Sequence, residues 1–497
     1  MKTLPKYWLL VAFLIHLLAA WFSVGHYHDD EYYQILDLAA FKLGFEMQNE
    51  VMWEYDEMVR SGLQPFIAFA VTKVFMFFGI TSPFFCAFIL RIISSVISLF
   101  AIVVFINAIQ TQIRSKTVLR WTSFFLLFSW LLVFMNVRFS SEGWAMSCFI
   151  LGYGIYLDPR FSDYKKYFLT GLLFGICFLA RFQSGFLLLG LGCWMLFQQR
   201  ESVRNFSTII VGGIAALLIG VFIDYWLYGA LTSSAWNIFE WHMLKGSLDN
   251  IVHEPWWFYI YYSSVQLLPP ITLLTPAVVI LFWFLFPRHS ITWLTIPFIL
   301  FHHYFGHKEM RYLFPILPFA PIMFAMLFEK LKDYFDFFNT KTFTWLVKIT
   351  LGLSVIINMT LVLLVISLPA SKEVAIWQNC LAKYIPIENA ALLVYDPDGS
   401  GSAPGELELD FYNEKNIPII PVRDEEDIYT LLIKSPDKNY FYAARKKSRE
   451  DQLNKAAISH QLICRALPDW LLKININNWT SRTSMWRVWE ISHDKPK

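Results

Sequence analysis

"MKTLPKYWLLVAFLIHLLAAWFSVGHYHDDEYYQ" (residues 1–34) joins a long apolar run directly to two histidines, two aspartates and a glutamate within residues 26–31. The basic start followed by apolar residues imitates a secretion signal. The run is longer than a usual signal core, however, and Trp21 and Phe22 stand where small residues would precede cleavage. It reads as an uncleaved first transmembrane helix. Lys2 and Lys6 precede it, so the positive-inside rule puts the N-terminus in the cytoplasm and the acidic cluster on the opposite side.

The rest of the chain extends that reading. Of 497 residues, 56% are hydrophobic and only 16% charged, and mean hydropathy is +0.45. Apolar runs near the ~20 residues that span a hydrocarbon core recur, which indicates a polytopic α-helical membrane protein. A net charge of +2 argues neither for nor against a nucleic-acid partner, and the lack of a basic tract or aromatic-interleaved patch excludes that class. Six cysteines show no metal-ligand spacing, and Cys86, Cys148, Cys177 and Cys193 lie in apolar runs. Cys380 and Cys464 lie in the polar C-terminal region and could pair if that region faces an oxidising compartment.

Residues 63–80 follow "WEYDEMVRSGLQP" and contain Lys73. Counting them as a crossing would place the basic "TQIRSKTVLR" (111–120) outside, so they read as a helix in or re-entering the outer leaflet. Later spans then fall near 84–109, 121–136, 142–157, 167–180, 183–197, 206–223, 268–286, 291–305, 310–328 and 343–368, about eleven crossings in all. The basic connectors become cytoplasmic, and the tail lies outside. The expected organisation is a transmembrane domain over 1–368, with an outward first loop at 26–82, and an outward-facing soluble α/β domain over 369–497. In that last part "AALLVYDPDG", "NIPIIPV" and "YFYAAR" read as strands and "EEDIYTLLIK" as a helix.

Parity gathers distant polar segments at one membrane face: Asp29, Asp30 and Glu31; Trp53, Glu54 and Arg60; Arg138 and Glu142; Arg181; and His307, Lys308 and Arg311. Ionisable groups at a bilayer are costly and usually face a bundle interior, where they pair or serve a substrate. Arginine and lysine suit phosphate oxygens, and a well-aimed carboxylate can take a hydroxyl proton. Each segment also has a plainer reading. Arg138 and Arg181 could snorkel, residues 307–311 could form a wet connector, and the acidic cluster could be a solvated loop or a divalent-cation site, although no ladder of oxygen ligands is present.

Taken in order, the segments resemble a known family. "HDDEYYQILDLAAFKLG" (28–44), "MWEYDEMVRSGLQP" (52–65), "VRFSSEG" (137–143), "FGICFLARFQSG" (174–185) and "GHKEMRYLFPILP" (306–318) are similar to the successive motifs of the polyprenol- or dolichol-phosphate-mannose-dependent α-mannosyltransferases of GPI-anchor and lipid-linked oligosaccharide synthesis. Asp29, Met52, Tyr55 and Ser141 depart from the family pattern. The first places two carboxylates side by side and leaves the base open between Asp29 and Asp30.

The resemblance implies a GT-C glycosyltransferase that moves mannose, with inversion, from a polyprenyl- or dolichyl-phosphate donor to a glycan or glycolipid acceptor, without a metal or other cofactor. It implies Asp30, Glu31 or Asp29 in catalysis and His307, Lys308, Arg311 and Arg138 at the donor phosphate. Trp53, Glu54, Arg60, Glu142 and Arg181 would contact substrate. The expected location is a bacterial inner membrane or the endoplasmic reticulum membrane, with the active site on the non-cytoplasmic side. A transporter of a lipid-linked or anionic solute is the rival reading.

Overall fold

Helices start where a polar side chain can hold the first free amides. The hydroxyls of Ser140, Ser202 and Thr340 accept from the backbone amides of Gly143, Asn205 and Phe343, each at 3.2 Å, opening helices Ser141–Leu157, Val203–Tyr228 and Lys341–Val365. The computed structural model describes residues 5–47, 52–160, 164–244, 253–265, 267–385, 389–446 and 448–492. They form two compact units. The first comprises residues 1–20, 53–66 and 90–366, and the second 21–52, 67–89 and 367–497. The unit boundary near the C-terminal part falls between residues 366 and 367, and residues 26–82, expected as one outward loop, are divided between the units.

The first unit is helical. Its core is aromatic and aliphatic, with Phe105, Phe149, Tyr153, Phe282, Phe298 and Phe319 fully enclosed. Helices Tyr164–Ala180 and Val203–Tyr228 pack through small residues. A Cβ added to Gly171 would fall 1.9 Å from the Ile209 carbonyl oxygen, and one at Gly212 would fall 2.2 Å from that of Phe168. Such contact lets backbones approach and gain dispersion where lipid supplies little hydrophobic drive.

The expected span 121–136 is two helices, Lys116–Phe128 and Trp130–Asn136, bent by 45°. Ser129 between them is extended, which frees two backbone groups. Asn358 satisfies both: its carbonyl oxygen accepts from the Trp130 amide at 2.9 Å and its amide donates to the Phe128 oxygen at 2.7 Å. A break at membrane depth is tolerable when protein groups complete the backbone in this way.

Among the described residues four helices are long and apolar enough to cross a membrane: Pro83–Ile109, Val203–Tyr228, Met310–Tyr334 and Lys341–Val365. Counting the bent pair makes five. The sequence-derived number of about eleven is not reached by this measure. Lys6–Phe22, Ser141–Leu157 and Tyr164–Ala180 have 17 residues each, about 25 Å at ~1.5 Å per residue, short of a core about 30 Å thick. The segment expected to lie in the leaflet is the 15-residue apolar helix Leu63–Phe77.

The second unit contains a five-stranded sheet: β1 Ala390–Tyr395, β2 Ile419–Val422, β3 Asn439–Ala444, β4 Ser459–Arg465 and β5 Arg487–Ser492. The order is β2-β1-β3-β5-β4, with β1 parallel to β2 and β3, and β5 antiparallel to β3 and β4. The three strands read from sequence are β1 to β3, and the expected helix is Glu425–Lys434. Leu392 and Val394 of β1 pack on one face, and Leu393 on the other, as a strand's alternation requires. Cys380 and Cys464 form a disulfide across 84 residues.

Candidate active site

In the first unit, three of the five motif segments meet in one buried ionic network. The Ser140 cap starts a helix that carries Glu142 in its first turn. Arg181 follows helix Tyr164–Ala180 in extended backbone (φ −149°). Glu309 is likewise extended (φ −135°), directly before the helical segment Met310–Phe319. Glu142 Oε1 lies 3.2 Å from Arg181 Nη1 and 3.4 Å from Arg311 Nη1. Arg311 also donates to Glu309, from Nε at 2.5 Å and from Nη2 at 3.0 Å.

Glu309 also pairs with His307 Nε2 at 2.9 Å and accepts from the Tyr312 hydroxyl at 2.8 Å. Burial by itself would raise its pKa. The hydrogen bonds from His307, Arg311 and Tyr312, with the Arg311 charge, outweigh that and hold the carboxyl well below its usual range. The Arg181 guanidinium stacks over the Tyr312 ring at 4.9 Å.

Lys308 is buried, and its ammonium donates to the carbonyls of Glu254 (3.1 Å), Gly306 (3.4 Å) and Phe305. Burial lowers its pKa. Arg138 is also buried and stacks over Phe134 at 4.8 Å. Trp53, Glu54 and Arg60 form a separate cluster. Arg60 pairs with Glu54, the Arg60 amide donates to the Tyr228 hydroxyl at 3.2 Å, and Trp53 lies 5.2 Å from Trp241. Asp224 ties this cluster down by accepting from the amides of Gly62 and Ser234, both at 2.9 Å.

Asp29, Asp30 and Glu31 belong to the second unit. Asp29 Oδ1 lies 3.3 Å from His26 Nε2, and Asp30 Oδ1 lies 3.6 Å from His28 Nδ1. The His26 hydrogen bond lowers the Asp29 pKa. Glu31 is buried. A pocket of about 300 Å³ opens beside Asp29, lined also by His26, Tyr33, Ser402, Gly405, Glu406 and Leu409. Asp30 is not among its lining residues.

The sequence reading passed over Glu309, Tyr312, His26, Ser402 and Glu406. For Glu309 a signal existed: it is a carboxylate two residues from both His307 and Arg311, close enough in sequence to pair with either. No sequence pattern links residues near 30 to residues near 405.

Comparisons with known proteins address the family and the fold. The profile of the Alg9-like mannosyltransferase family matches residues 7–374. Mannosyltransferase APTG1 of Arabidopsis thaliana is 22% identical over 318 residues, 62% of this chain and 56% of that protein. GPI alpha-1,2-mannosyltransferase 3 of Danio rerio is 22% identical over 312 residues, 61% of this chain and 56% of that protein. The chain spans little more than half the length of these curated relatives.

Among solved structures, apo ArnT from Cupriavidus metallidurans shares the fold with a TM-score of 0.56 at 11% identity, covering 97% of both chains. The same protein bound to undecaprenyl phosphate scores 0.54 at 10% identity, again covering 97% of both chains. These likenesses show that the chain shares the fold of ArnT. With the motif segments in order and the profile spanning most of the chain, this protein belongs to the Alg9-like mannosyltransferase family.

Proposed function

We propose that the protein is an inverting membrane mannosyltransferase that takes mannose from a polyprenyl- or dolichyl-phosphate donor and gives it to a glycan or glycolipid acceptor. The observation that carries this reading is the joining of motif segments 137–143, 174–185 and 306–318 through Glu142, Arg181, Arg311 and Glu309. The names of the relatives support mannose as the sugar. Undecaprenyl phosphate bound by ArnT, which shares the fold, supports a lipid phosphate.

In the reaction an acceptor hydroxyl oxygen attacks the anomeric carbon as the bond from that carbon to the phosphate oxygen breaks. The electron pair leaves with the phosphate, and the hydroxyl proton passes to a carboxylate. His307, Lys308, Arg311 and Arg138 hold the departing phosphate. Glu309 and Glu142 orient His307 and Arg311 in advance and backbone carbonyls orient Lys308, the arrangement in which electrostatic stabilisation needs least reorganisation. Asp30 is the base, Asp29 contacts the acceptor and Glu31 orients its neighbours. Arg181 and Glu142 act through Arg311, and Trp53, Glu54 and Arg60 form a further substrate contact.

The reading needs no metal or other cofactor. It includes about eleven crossings, supported by four long apolar helices and by basic connectors of consistent parity. It also places the soluble domain 369–497 and the chemistry on the non-cytoplasmic side of a bacterial inner membrane or the endoplasmic reticulum membrane.

The test is incubation of the purified protein with radiolabelled polyprenyl-phosphate mannose and a panel of glycan acceptors. Transfer by the wild type and its loss in a well-expressed Asp30→Asn variant are expected. Full activity in that variant removes Asp30 from the role of base, and no transfer by the wild type to any acceptor defeats the reading.

A further inference from the structure

We propose that the pocket beside Asp29 is a subsite for one neutral hexosyl ring, the terminal sugar of the acceptor, and that the C-terminal chain supplies half of its wall. This rests on the mannosyl-transfer reading for its place in the reaction, but not for the binding itself.

His26, Asp29 and Tyr33 come from the first outward loop; Ser402, Gly405, Glu406 and Leu409 come from a segment some 370 residues later. The Tyr33 hydroxyl donates to the Gly405 carbonyl at 2.7 Å and fastens the two walls together. Behind it, the ring of Tyr32 meets that of Tyr33 edge-on at 5.0 Å, and the Tyr32 hydroxyl accepts from the Phe411 amide at 2.9 Å. His26 aims Asp29, and Arg445 pairs with Glu406. The backbone of the two walls is therefore joined before a ligand arrives, while the Asp29 and Ser402 side chains stay exposed to it.

The chemistry of the lining selects the ligand. Two carboxylates and the Ser402 hydroxyl offer acceptors for sugar hydroxyls, and Leu409 offers an apolar surface for the C–H face of a ring. No lysine or arginine is among the lining residues, so an anionic group would be desolvated beside carboxylates without a partner. A volume of about 300 Å³ is at the small end for ligand sites and suits a single ring. Glu406, paired with Arg445, keeps its place in the wall as an acceptor for a sugar hydroxyl.

Two substitutions fill the space without disturbing the catalytic carboxylates. Ser402 is exposed, and a Cβ at Gly405 would meet nothing within 4 Å. Saturation-transfer NMR on the detergent-solubilised full-length protein, with methyl α-mannopyranoside as the probe and mannose 1-phosphate and glucosamine as anionic and cationic controls, tests the site. The neutral mannoside is expected to bind the wild type, and at least tenfold more weakly to Ser402→Trp and Gly405→Leu. In the transfer assay the same variants should lower the ratio of transfer to glycan over transfer to water at least tenfold. Absence of mannoside binding, equal binding by both variants, or tighter binding of either control overturns the subsite. A wild type that binds mannoside yet transfers no mannose defeats the proposed reaction and leaves the subsite standing.

Discussion

Arg181 Nη1 and Arg311 Nη1 approach the same carboxylate oxygen of Glu142, at 3.2 and 3.4 Å. Two guanidinium groups converge here because one buried anion lies between them. Removing its charge takes away the carboxylate that pairs with Arg181, whereas Arg311 keeps Glu309. Glu142→Gln is therefore expected to destabilise the first unit by about 3–5 kcal/mol, as breaking a buried ion pair from one side does. Thermal unfolding in detergent measures this, and a midpoint within a degree of the wild type would contradict it.

Asn358 completes the backbone at the break between Phe128 and Trp130. Asn358→Leu keeps the size and strands one amide and one carbonyl. At about 1–3 kcal/mol for each unsatisfied group, the loss should reach about 2–6 kcal/mol. The expected readout is a lowered unfolding midpoint. Asn358→Gln, which retains the amide, should recover part of it.

Asp37 is buried beside Tyr32, whose hydroxyl donates to it at 3.3 Å. Burial raises its pKa from 3.8 to about 7, with the charge of Asp410 adding and the Tyr32 hydrogen bond opposing. Between those two values the folded protein holds a proton that the unfolded chain has released, so stability falls as pH rises through that window. The full difference corresponds to at most about 4 kcal/mol. Wild type should lose thermal stability between about pH 4 and pH 7 relative to Asp37→Asn, and level off above that; parallel curves for the two proteins would refute the assignment.

The disulfide between Cys380 and Cys464 closes a loop of 84 residues. The loss of chain entropy in the unfolded state then stabilises the second unit by about 4–5 kcal/mol. Cys380→Ala or reduction should make the C-terminal region sensitive to mild proteolysis, while fragments from the first unit persist. Unchanged proteolysis after reduction would rule out a stabilising bridge.

Much of this was legible in the linear chain. The apolar runs and the family motifs could be read because hydropathy and short-range spacing are local properties. Strands β1 to β3 and the helix Glu425–Lys434 were likewise visible as alternation bounded by turn residues. Strands β4 and β5 were not. Gln461 and Arg465 interrupt β4, and its membership depends on pairing with β5, in a register shifted between Leu462 and Cys464. The count of crossings was harder for a related reason: hydropathy marks an apolar run, whereas Ser129 and the extended backbone at Arg181 determine where a helix stops.

Candidate residues divided along the same line. Sequence alone determined which side chains carry the necessary chemistry, because a carboxylate, imidazole or guanidinium in an apolar chain stands out by composition. Tertiary structure alone decided their partners. It set Glu309 against His307, Arg311 and Tyr312, occupied Lys308 with backbone carbonyls, and placed Ser402 and Glu406 around a pocket with Asp29. The reason is physical: a hydrogen bond or ion pair acts over about 3–4 Å, and which groups come that close depends on how buried apolar surfaces pack between them, information that no local stretch of sequence contains.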